Sequence, residues 1–337
     1  MTRTMRAAVL TAPGRFEIHQ RPVPEAQAGE ALIALARAGL CGGDLQQYRR
    51  ATGALPFVPG HEGCGVVAAA PGAPALEGRR VVFDPQVYWC GRCEWCGRGH
   101  TELCPQRRYL GAHADGTFAE YVVVPQDRLL PIPDSMDWDE AASVHGLAGP
   151  VFAIQRFPHE IGESLLVLGP GAAGLLFVQL AKHCLGASRV ILAGRSAHRL
   201  ELGLSLGADV VVNTQQENLA QRVAQSTDGR GVDVIIETTG SPQLREALPT
   251  FAAPRARVLS YATGPVGFDS LKSISIFGTT GATRSMQPAL DLLLSGKVRA
   301  DVLISHRYPL EAIQEAFDTA LGDRKGNYVK GVICFAP

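Results

Sequence analysis

Several things the chain lacks narrow it first. It has no charge excess: Lys and Arg number 32, and so do Asp and Glu. Nothing in the overall charge therefore points to nucleic acid or an anionic membrane as a partner. It has no long apolar run. The most apolar stretch, Leu165 to Ala181, is broken by Pro170 and three glycines and is too short for a comfortable membrane crossing. No basic segment followed by an apolar core opens the chain, so no secretory signal is expected and the expected location is cytoplasmic. Charged residues make up only 19% against 46% hydrophobic, which excludes a disordered chain and supplies sizeable cores. There is no internal repeat, low-complexity tract or long linker, and 337 residues suggest two domains.

Cysteine is sparse at eight residues, yet four of them crowd into Cys90–Cys104. In a cytosolic chain this crowding reads as metal rather than disulfide. Cys90, Cys93, Cys96 and Cys104 follow the spacing C-x2-C-x2-C-x7-C. Four thiolates close a tetrahedral shell and leave no open position, so the expected zinc is structural. An iron–sulfur cluster is the competing reading. Zinc is preferred because the loop is Gly-rich and hydrophilic and nothing else suggests electron transfer.

A second signal is the turn Gly169-Pro-Gly171-Ala172-Ala173-Gly174, which follows the apolar run Ser164–Leu168 and opens another from Leu175 to Leu185. In a G-x-G-x-x-G turn the first glycine permits the tight bend and the second lets backbone N–H groups approach a pyrophosphate. The third lets helix and strand pack closely. A purely structural turn is the alternative. Arg189–Gly194 follows at βαβ spacing and ends about 20 residues past the last glycine, where the ribose-reading residue belongs. An acidic residue there would accept the ribose hydroxyls and repel a 2′-phosphate. This chain has Gly194 instead, then Arg195 and Ser196, with Arg199 one turn on. Guanidinium and hydroxyl donors without a carboxylate suit NADP(H), against the plain reading of two solvated arginines.

Around these motifs the chain has two characters. From Met5 to Gly39 short alternating segments are punctuated by Pro and Gly, and strand-like runs follow at Gly65–Ala70, Arg80–Phe83 and Phe118–Val124. That half reads as a partly open β-barrel with long loops. Beyond Ala153, strand and helix patterns alternate through Leu165–Leu168, Val190–Ala193, Val210–Asn213, Val234–Glu237 and Arg257–Ser260, the rhythm of a doubly wound parallel α/β sheet. The tail holds an amphipathic helix, Leu310–Leu321, and a strand, Gly331–Phe335.

The last signal is dispersed. Cys41 lies in Gly39-Leu-Cys-Gly-Gly-Asp44, and His61 and Glu62 in Pro59-Gly-His-Glu-Gly-Cys-Gly65. Singly, these read as a small buried hydrophobe, a loop histidine and a solvated carboxylate. Together, beside a four-Cys loop and ahead of a dinucleotide turn, they read as a metal site. Jointly with Asp115-Gly-Thr-Phe-Ala-Glu-Tyr121 and Tyr328-Val-Lys-Gly-Val-Ile333, over essentially its full length, the chain resembles the zinc-containing medium-chain dehydrogenase/reductase family, the alcohol and polyol dehydrogenases.

The resemblance implies a GroES-like catalytic domain, 1–153 completed by 291–337, with a Rossmann domain, 154–290, inserted between. It implies two zinc ions per chain, the catalytic one facing the nicotinamide across the cleft, and a homodimer or homotetramer acting on a small molecule. Cys41 and His61 match the first two catalytic ligands, and Asp44 matches the carboxylate that orients the histidine. Glu62 matches a carboxylate beside the zinc that coordinates it in some members. His145, in Ala141-Ala-Ser-Val-His-Gly-Leu-Ala148, stands where polyol-type members place a glutamate ligand. The third ligand is thus His145, with Glu62 the alternative. Lys330 matches a basic residue that contacts the cofactor pyrophosphate.

One departure matters. The family's usual proton relay runs through a Ser or Thr two residues after the cysteine ligand and a histidine three further on. Here those positions are Gly43 and Gln46, neither able to do acid–base work. Hydride exchange between NADP(H) and an alcohol, ketone or aldehyde is expected, with the proton rerouted through His145 or Glu62. NADPH-dependent reduction of a conjugated C=C or a C=N bond is the alternative, and a non-catalytic nucleotide-binding relative a remote one. Gln46, Tyr48, Tyr88 and Phe268 are expected around the substrate. Cys64, Cys184 and Cys334 are expected to be buried, His100, His159, His183 and His198 solvated or on helix surfaces, and His113 outside the cleft.

Overall fold

The computed structural model describes residues 3–50, 55–262, 272–279, 281–282, 284–323 and 326–335. Its first half is mostly β. A hairpin pairs β1 (Thr4–Ala12) with β2 (Arg15–Pro22), and β3 (Glu30–Gly39) follows. The short helix α1 (Gly42–Arg50) leaves directly from the end of β3. Then come β4 (Glu62–Ala69), β5 (Arg80–Phe83), β6 (Gln86–Tyr88), helix α2 (Glu94–Gly97), β7 (Arg108–Tyr109), β8 (Tyr121–Pro125) and β9 (Leu129–Pro131). Strand β3 organises this half. One edge pairs with β4; the other pairs with β8 along residues 30–34 and with a C-terminal strand along 37–39. Its register therefore places Gly39 opposite Glu62 and brings the segments carrying Cys41 and His61 together.

Helix α3 (Trp138–Arg156) crosses from this half to the next. Asp137 caps it by accepting the Asp139 N–H at 2.8 Å. The helix continues through Pro150, and its residues belong to one buried cluster with strands and helices of both halves. The expected boundary at 153/154 falls inside α3.

Beyond α3 the rhythm is regular. Strands β10 (Ser164–Leu168), β11 (Arg189–Gly194), β12 (Val210–Asn213), β13 (Val232–Glu237), β14 (Ala252–Ser260) and β15 (Ser275–Gly278) form one parallel sheet in the order β12-β11-β10-β13-β14-β15. Between them run α4 (Ala172–His183), α5 (Ala197–Ser205), α6 (Leu219–Ser226), α7 (Pro242–Glu246) and α8 (Leu248–Phe251). Strand β10 is buried at all five positions, as a central parallel strand with both faces covered must be. Helix α9 (Met286–Leu294) packs on α3 and contains the expected boundary at 290/291. Strand β16 (Ile304–Pro309), helix α10 (Ile313–Gly322) and β17 (Lys330–Cys334) return to the first half, completing a seven-stranded sheet in which β17 borders β3. No helix among the described residues is long and apolar enough to cross a membrane.

Candidate active site and metal centres

The four-cysteine loop closes on itself. The sulfurs lie 3.4 Å (Cys93–Cys96), 3.6 Å (Cys90–Cys104) and 4.0 Å (Cys90–Cys96) apart. A tetrahedron with Zn–S near 2.3 Å has edges of about 3.8 Å, so the sulfurs already stand at metal-shell spacing. Cys93 caps α2 and accepts the Cys96 N–H at 3.5 Å, while Cys104 accepts that of Cys90 at 3.5 Å. Backbone donors led by Arg92 pull Cys90 down to about 6, and burial pushes Cys96 up to about 12. A divalent cation would collect all four as thiolates and release protons. The lobe docks on α3 through buried Glu102, 3.3 Å from Arg156 and 3.4 Å from His100, so His100 is a joint residue rather than a solvated one.

The second set is built from distant segments. Ligand atoms of Cys41, His61 and Glu62 all lie within 4.8 Å of one another. Asp44 is 1% exposed and fixes two of them. Its Oδ1 lies 3.1 Å from His61 Nδ1, and its Oδ2 accepts the Cys41 N–H at 2.9 Å. The His61 Nε2 is thereby left free for a metal, as a ligating histidine requires. Burial alone would lower the His61 pKa, but Asp44 and Cys41 outweigh it and hold it well above the ordinary value.

His145 comes from α3. Its ring stands 5.2 Å from that of His61 at 81°, and its buried Nδ1 has no hydrogen-bond partner among the described residues. The nearest carboxylate oxygen, Glu62 Oε1, is 3.9 Å away, too far for a hydrogen bond. An orphaned imidazole nitrogen beside a second imidazole and a carboxylate, at the edge of the Cys41, His61 and Glu62 cluster, fits a divalent metal. The donor set therefore suits zinc, with Cys41, His61, Glu62 and His145 as the groups that would hold it.

Lys330, which the resemblance assigns to pyrophosphate, lies at this carboxylate instead. Its Nζ is 2.5 Å from Glu62 Oε2 and donates to the Leu40 carbonyl at 3.3 Å. Burial works against both charges, but the pairing prevails: Glu62 is held well below the usual carboxylate range and Lys330 is raised. The pair occupies one oxygen of Glu62 and leaves Oε1 facing His145.

At the Rossmann turn each glycine has a visible reason. Gly169 has φ +104, a conformation L side chains rarely adopt. A Cβ on Gly174 would come 1.8 Å from the Gly169 carbonyl oxygen, whereas one on Gly171 would meet nothing within 4 Å. Gly171 also caps α4, so the open position lies where helix N–H groups are free. A Cβ on Gly194 would meet Pro170 Cδ at 2.2 Å, so the Pro of the Gly-rich turn excludes a ribose-reading carboxylate there. Arg195 is exposed. Ser196 caps α5, accepting the Arg199 N–H at 3.2 Å and donating to the Gly326 carbonyl at 2.9 Å. Arg199 is partly committed to Asp323 at 3.5 Å.

Other expectations meet correction. Tyr48 does not line a substrate pocket: it is 5% exposed, stacked near Phe16 and Phe317, with its hydroxyl donating to the Gly14 carbonyl. α1 turns it inward while Gln46 stays exposed. Tyr88 borders a depression of about 640 Å³ lined by none of the metal donors. Phe268 lies outside the described residues. Cys184 is exposed because it is the C-cap of α4, where the chain leaves the helix; Cys64 is buried and Cys334 half-buried. His113 is exposed. Sequence reasoning missed Tyr261, the first residue past β14, whose hydroxyl reaches α3 at Gly149. Its place at the carboxyl end of a Rossmann strand was the available signal.

Comparison with known proteins agrees with this geometry. Residues 27–134 match the alcohol dehydrogenase GroES-like domain and residues 172–295 the zinc-binding dehydrogenase domain. The D-arabitol-phosphate dehydrogenase of Enterococcus avium is 34% identical over 352 residues, covering 99% of this chain and 98% of that protein. The chain belongs to the zinc-containing medium-chain dehydrogenases. Within that family it is an NAD(P)-dependent oxidoreductase of the alcohol-dehydrogenase type. Its fold is similar to a zinc-binding dehydrogenase from Sinorhizobium meliloti 1021 bound to NADP (TM-score 0.90, 28% identity, 99% and 100% of the two chains). It is equally similar to a short chain alcohol dehydrogenase from Escherichia coli CFT073 complexed with NADH (TM-score 0.91, 29% identity, 98% and 99%). One fold thus takes either cofactor, and the choice falls to local residues.

Proposed function

We propose that this chain transfers hydride between NADP(H) and a secondary alcohol, its ketone or an aldehyde, using zinc held by Cys41, His61 and His145 with Glu62 adjacent. A second, structural zinc sits among Cys90, Cys93, Cys96 and Cys104. The observation that carries the reading is the cluster of Cys41, His61 and Glu62 ligand atoms within 4.8 Å of one another, with the His145 ring of α3 5.2 Å from that of His61. A cofactor crossing the parallel sheet must lay its nicotinamide against the carboxyl ends of its strands. Bound zinc supplies polarisation of the substrate oxygen. The chain's own residues do the rest: Asp44 orients His61 and Lys330 neutralises Glu62.

NADP(H) is preferred because Pro170 bars an acidic side chain at 194 and Arg195 stands free of ion pairs with described residues. Arg199 contributes less, being shared with Asp323. Arg195→Ala should therefore cost more in kcat/KM for NADPH than Arg199→Ala. A preference for NADH that Arg195→Ala leaves unchanged overturns this part. We further propose a cytoplasmic homodimer or homotetramer with no nucleic-acid or membrane partner.

The relay positions are Gly43 and Gln46, so in this reading the proton is rerouted through water and whichever of His145 or Glu62 does not hold the zinc. Product analysis with deuterated NADPH tests the whole reading. Simple ketones should yield label on the carbinol carbon. Label only at a β-carbon or an imine carbon would move the enzyme to C=C or C=N reduction, and nucleotide binding without turnover would remove it from catalysis.

A further inference from the structure

Gly43 leaves an opening. A Cβ there would stand 3.9 Å from both Cys41 Sγ and His61 Cε1, so a hydroxyl would fit beside the metal donors, yet none is present. On the opposite wall Tyr261 has what Gly43 lacks. Its ring packs edge-on against Phe177, with centroids 5.0 Å apart at 82°, and its backbone N–H donates to the Glu237 carbonyl at 2.9 Å. The ring is therefore fixed at both ends. Its hydroxyl points at α3 where residue 149 is glycine; a Cβ there would come within 2.5 Å of it. The helix thus has room for this oxygen only because Gly149 has no side chain.

Gly149 is one helical turn beyond His145 and on the same face. Gly146, the next residue after His145, would place a Cβ 3.6 Å from Glu62 Oε1. The phenol therefore meets α3 one helical turn beyond His145, at the carboxyl end of β14, the edge where a Rossmann sheet receives its ligand. Tyr261 is partly buried, and none of the described residues hydrogen-bonds its hydroxyl, which leaves that oxygen free to meet a ligand.

We propose that the Tyr261 hydroxyl donates a hydrogen bond to the reacting oxygen of the substrate, supplying from the Rossmann side the contact that Gly43 cannot supply from the catalytic side. The inference rests on the alcohol–carbonyl reading above. The phenol stays protonated throughout: burial, with the charges of Cys41 and Glu62, raises its pKa well above the ordinary value. It orients the oxygen and steadies the charge that develops there as hydride arrives; the proton itself travels by the rerouted path.

The test compares wild-type enzyme with Tyr261→Phe, which keeps the ring packing. With a simple ketone and NADPH, kcat should fall by about a hundredfold, the usual loss for one oxyanion donor, while KM changes little. Zinc content and NADPH affinity should match wild type. Gly43→Ser placed in the Tyr261→Phe background should restore at least tenfold, because the new hydroxyl serves the same oxygen from across the cleft. A tyrosine that only filled space would not be rescued that way. Wild-type turnover that survives Tyr261→Phe intact overturns the tyrosine's role alone. So does a loss traced to weaker NADPH binding and left unrelieved by Gly43→Ser. Absence of ketone turnover in the wild-type enzyme overturns the functional reading, and the tyrosine's role with it.

Discussion

The two metal-ligand sets are built on opposite plans. The lobe set comes from fifteen consecutive positions, Cys90 to Cys104, and offers four identical donors that close a shell. The cleft set comes from segments about a hundred residues apart, mixes thiol, imidazole and carboxylate, and keeps one carboxylate tied to a lysine. Sequence-local donors can organise with little help from the fold, and a closed shell has nothing left to bind a substrate. Donors gathered by strand register depend on the whole domain, and their mixed chemistry leaves room for an exchangeable position. On the proposed reading, permanence and reactivity are separated in one chain by how far apart in sequence the ligands lie.

Removing metal should break that contrast most visibly. Mild chelation should strip the cleft and leave the lobe loaded, taking the protein from two zinc ions to one and turnover to background. Cys41→Ala should do the same genetically. Several kcal/mol of oxyanion stabilisation would be lost, roughly a thousandfold or more in kcat/KM, with one zinc retained on metal analysis. Cys93→Ser should instead give up the lobe zinc and loosen its docking through Glu102 on α3. Equal loss of both ions in Cys41→Ala would mean that the two sites are not independent.

The third cleft ligand is a finer question. His145→Ala should weaken cleft zinc by at least the 10–100-fold seen for supporting groups, read by competition with a chromophoric chelator, and should leave the lobe untouched. Full cleft occupancy in that variant would assign the third position to Glu62. Glu62→Gln carries a separate cost, since it leaves the buried Lys330 ammonium hydrogen-bonded but without its counter-charge. Its thermal stability should therefore drop further than that of His145→Ala.

The same distinction between local and distant explains what could be read before the structure. Val210–Asn213 was bounded to the residue, because a short apolar strand between turns is a local pattern. The thiolate spacing and the Gly-rich turn were legible for the same reason, and so was the missing acid at Gly194. The physical cause of that absence, Pro170 against position 194, was not, since it joins two strands. Tyr48 was misplaced because nothing local tells which face of α1 turns toward Phe317. Lys330 was drawn to a phosphate when strand order set it on Glu62, and Tyr261 passed unnoticed because its hydroxyl finds Gly149 more than a hundred residues away. Both expected domain boundaries fell inside helices because α3 and α9 weld the halves rather than link them.

The smallest predicted effect supplies the control that the metal experiments need. Acid removes zinc by protonating ligands, and it also unfolds proteins, so the two must be told apart. Asp233, at the start of β13, offers a handle remote from both donor sets. It accepts from the Ser164 N–H at 2.9 Å and the Ser164 hydroxyl at 2.8 Å, joining β13 to β10, and it pairs with Arg230. The Arg230 hydrogen bond leads in holding its carboxyl down at about 2, with burial opposing. A depressed carboxylate contributes stability that is fully present above its unfolded pKa, near 3.9, and is lost as pH falls toward the folded value. That sets the window between about pH 4 and pH 2 and caps the size at about 2.6 kcal/mol, which solvent screening of a partly exposed pair reduces to about 1–2 kcal/mol. Asp233→Asn should flatten the acid limb of urea-unfolding stability in that window while zinc content and turnover at neutral pH stay at wild-type values. If the limb is unchanged in Asp233→Asn, acid sensitivity belongs to the metal ligands or other carboxylates, and the Rossmann sheet is not where acid first loosens the chain.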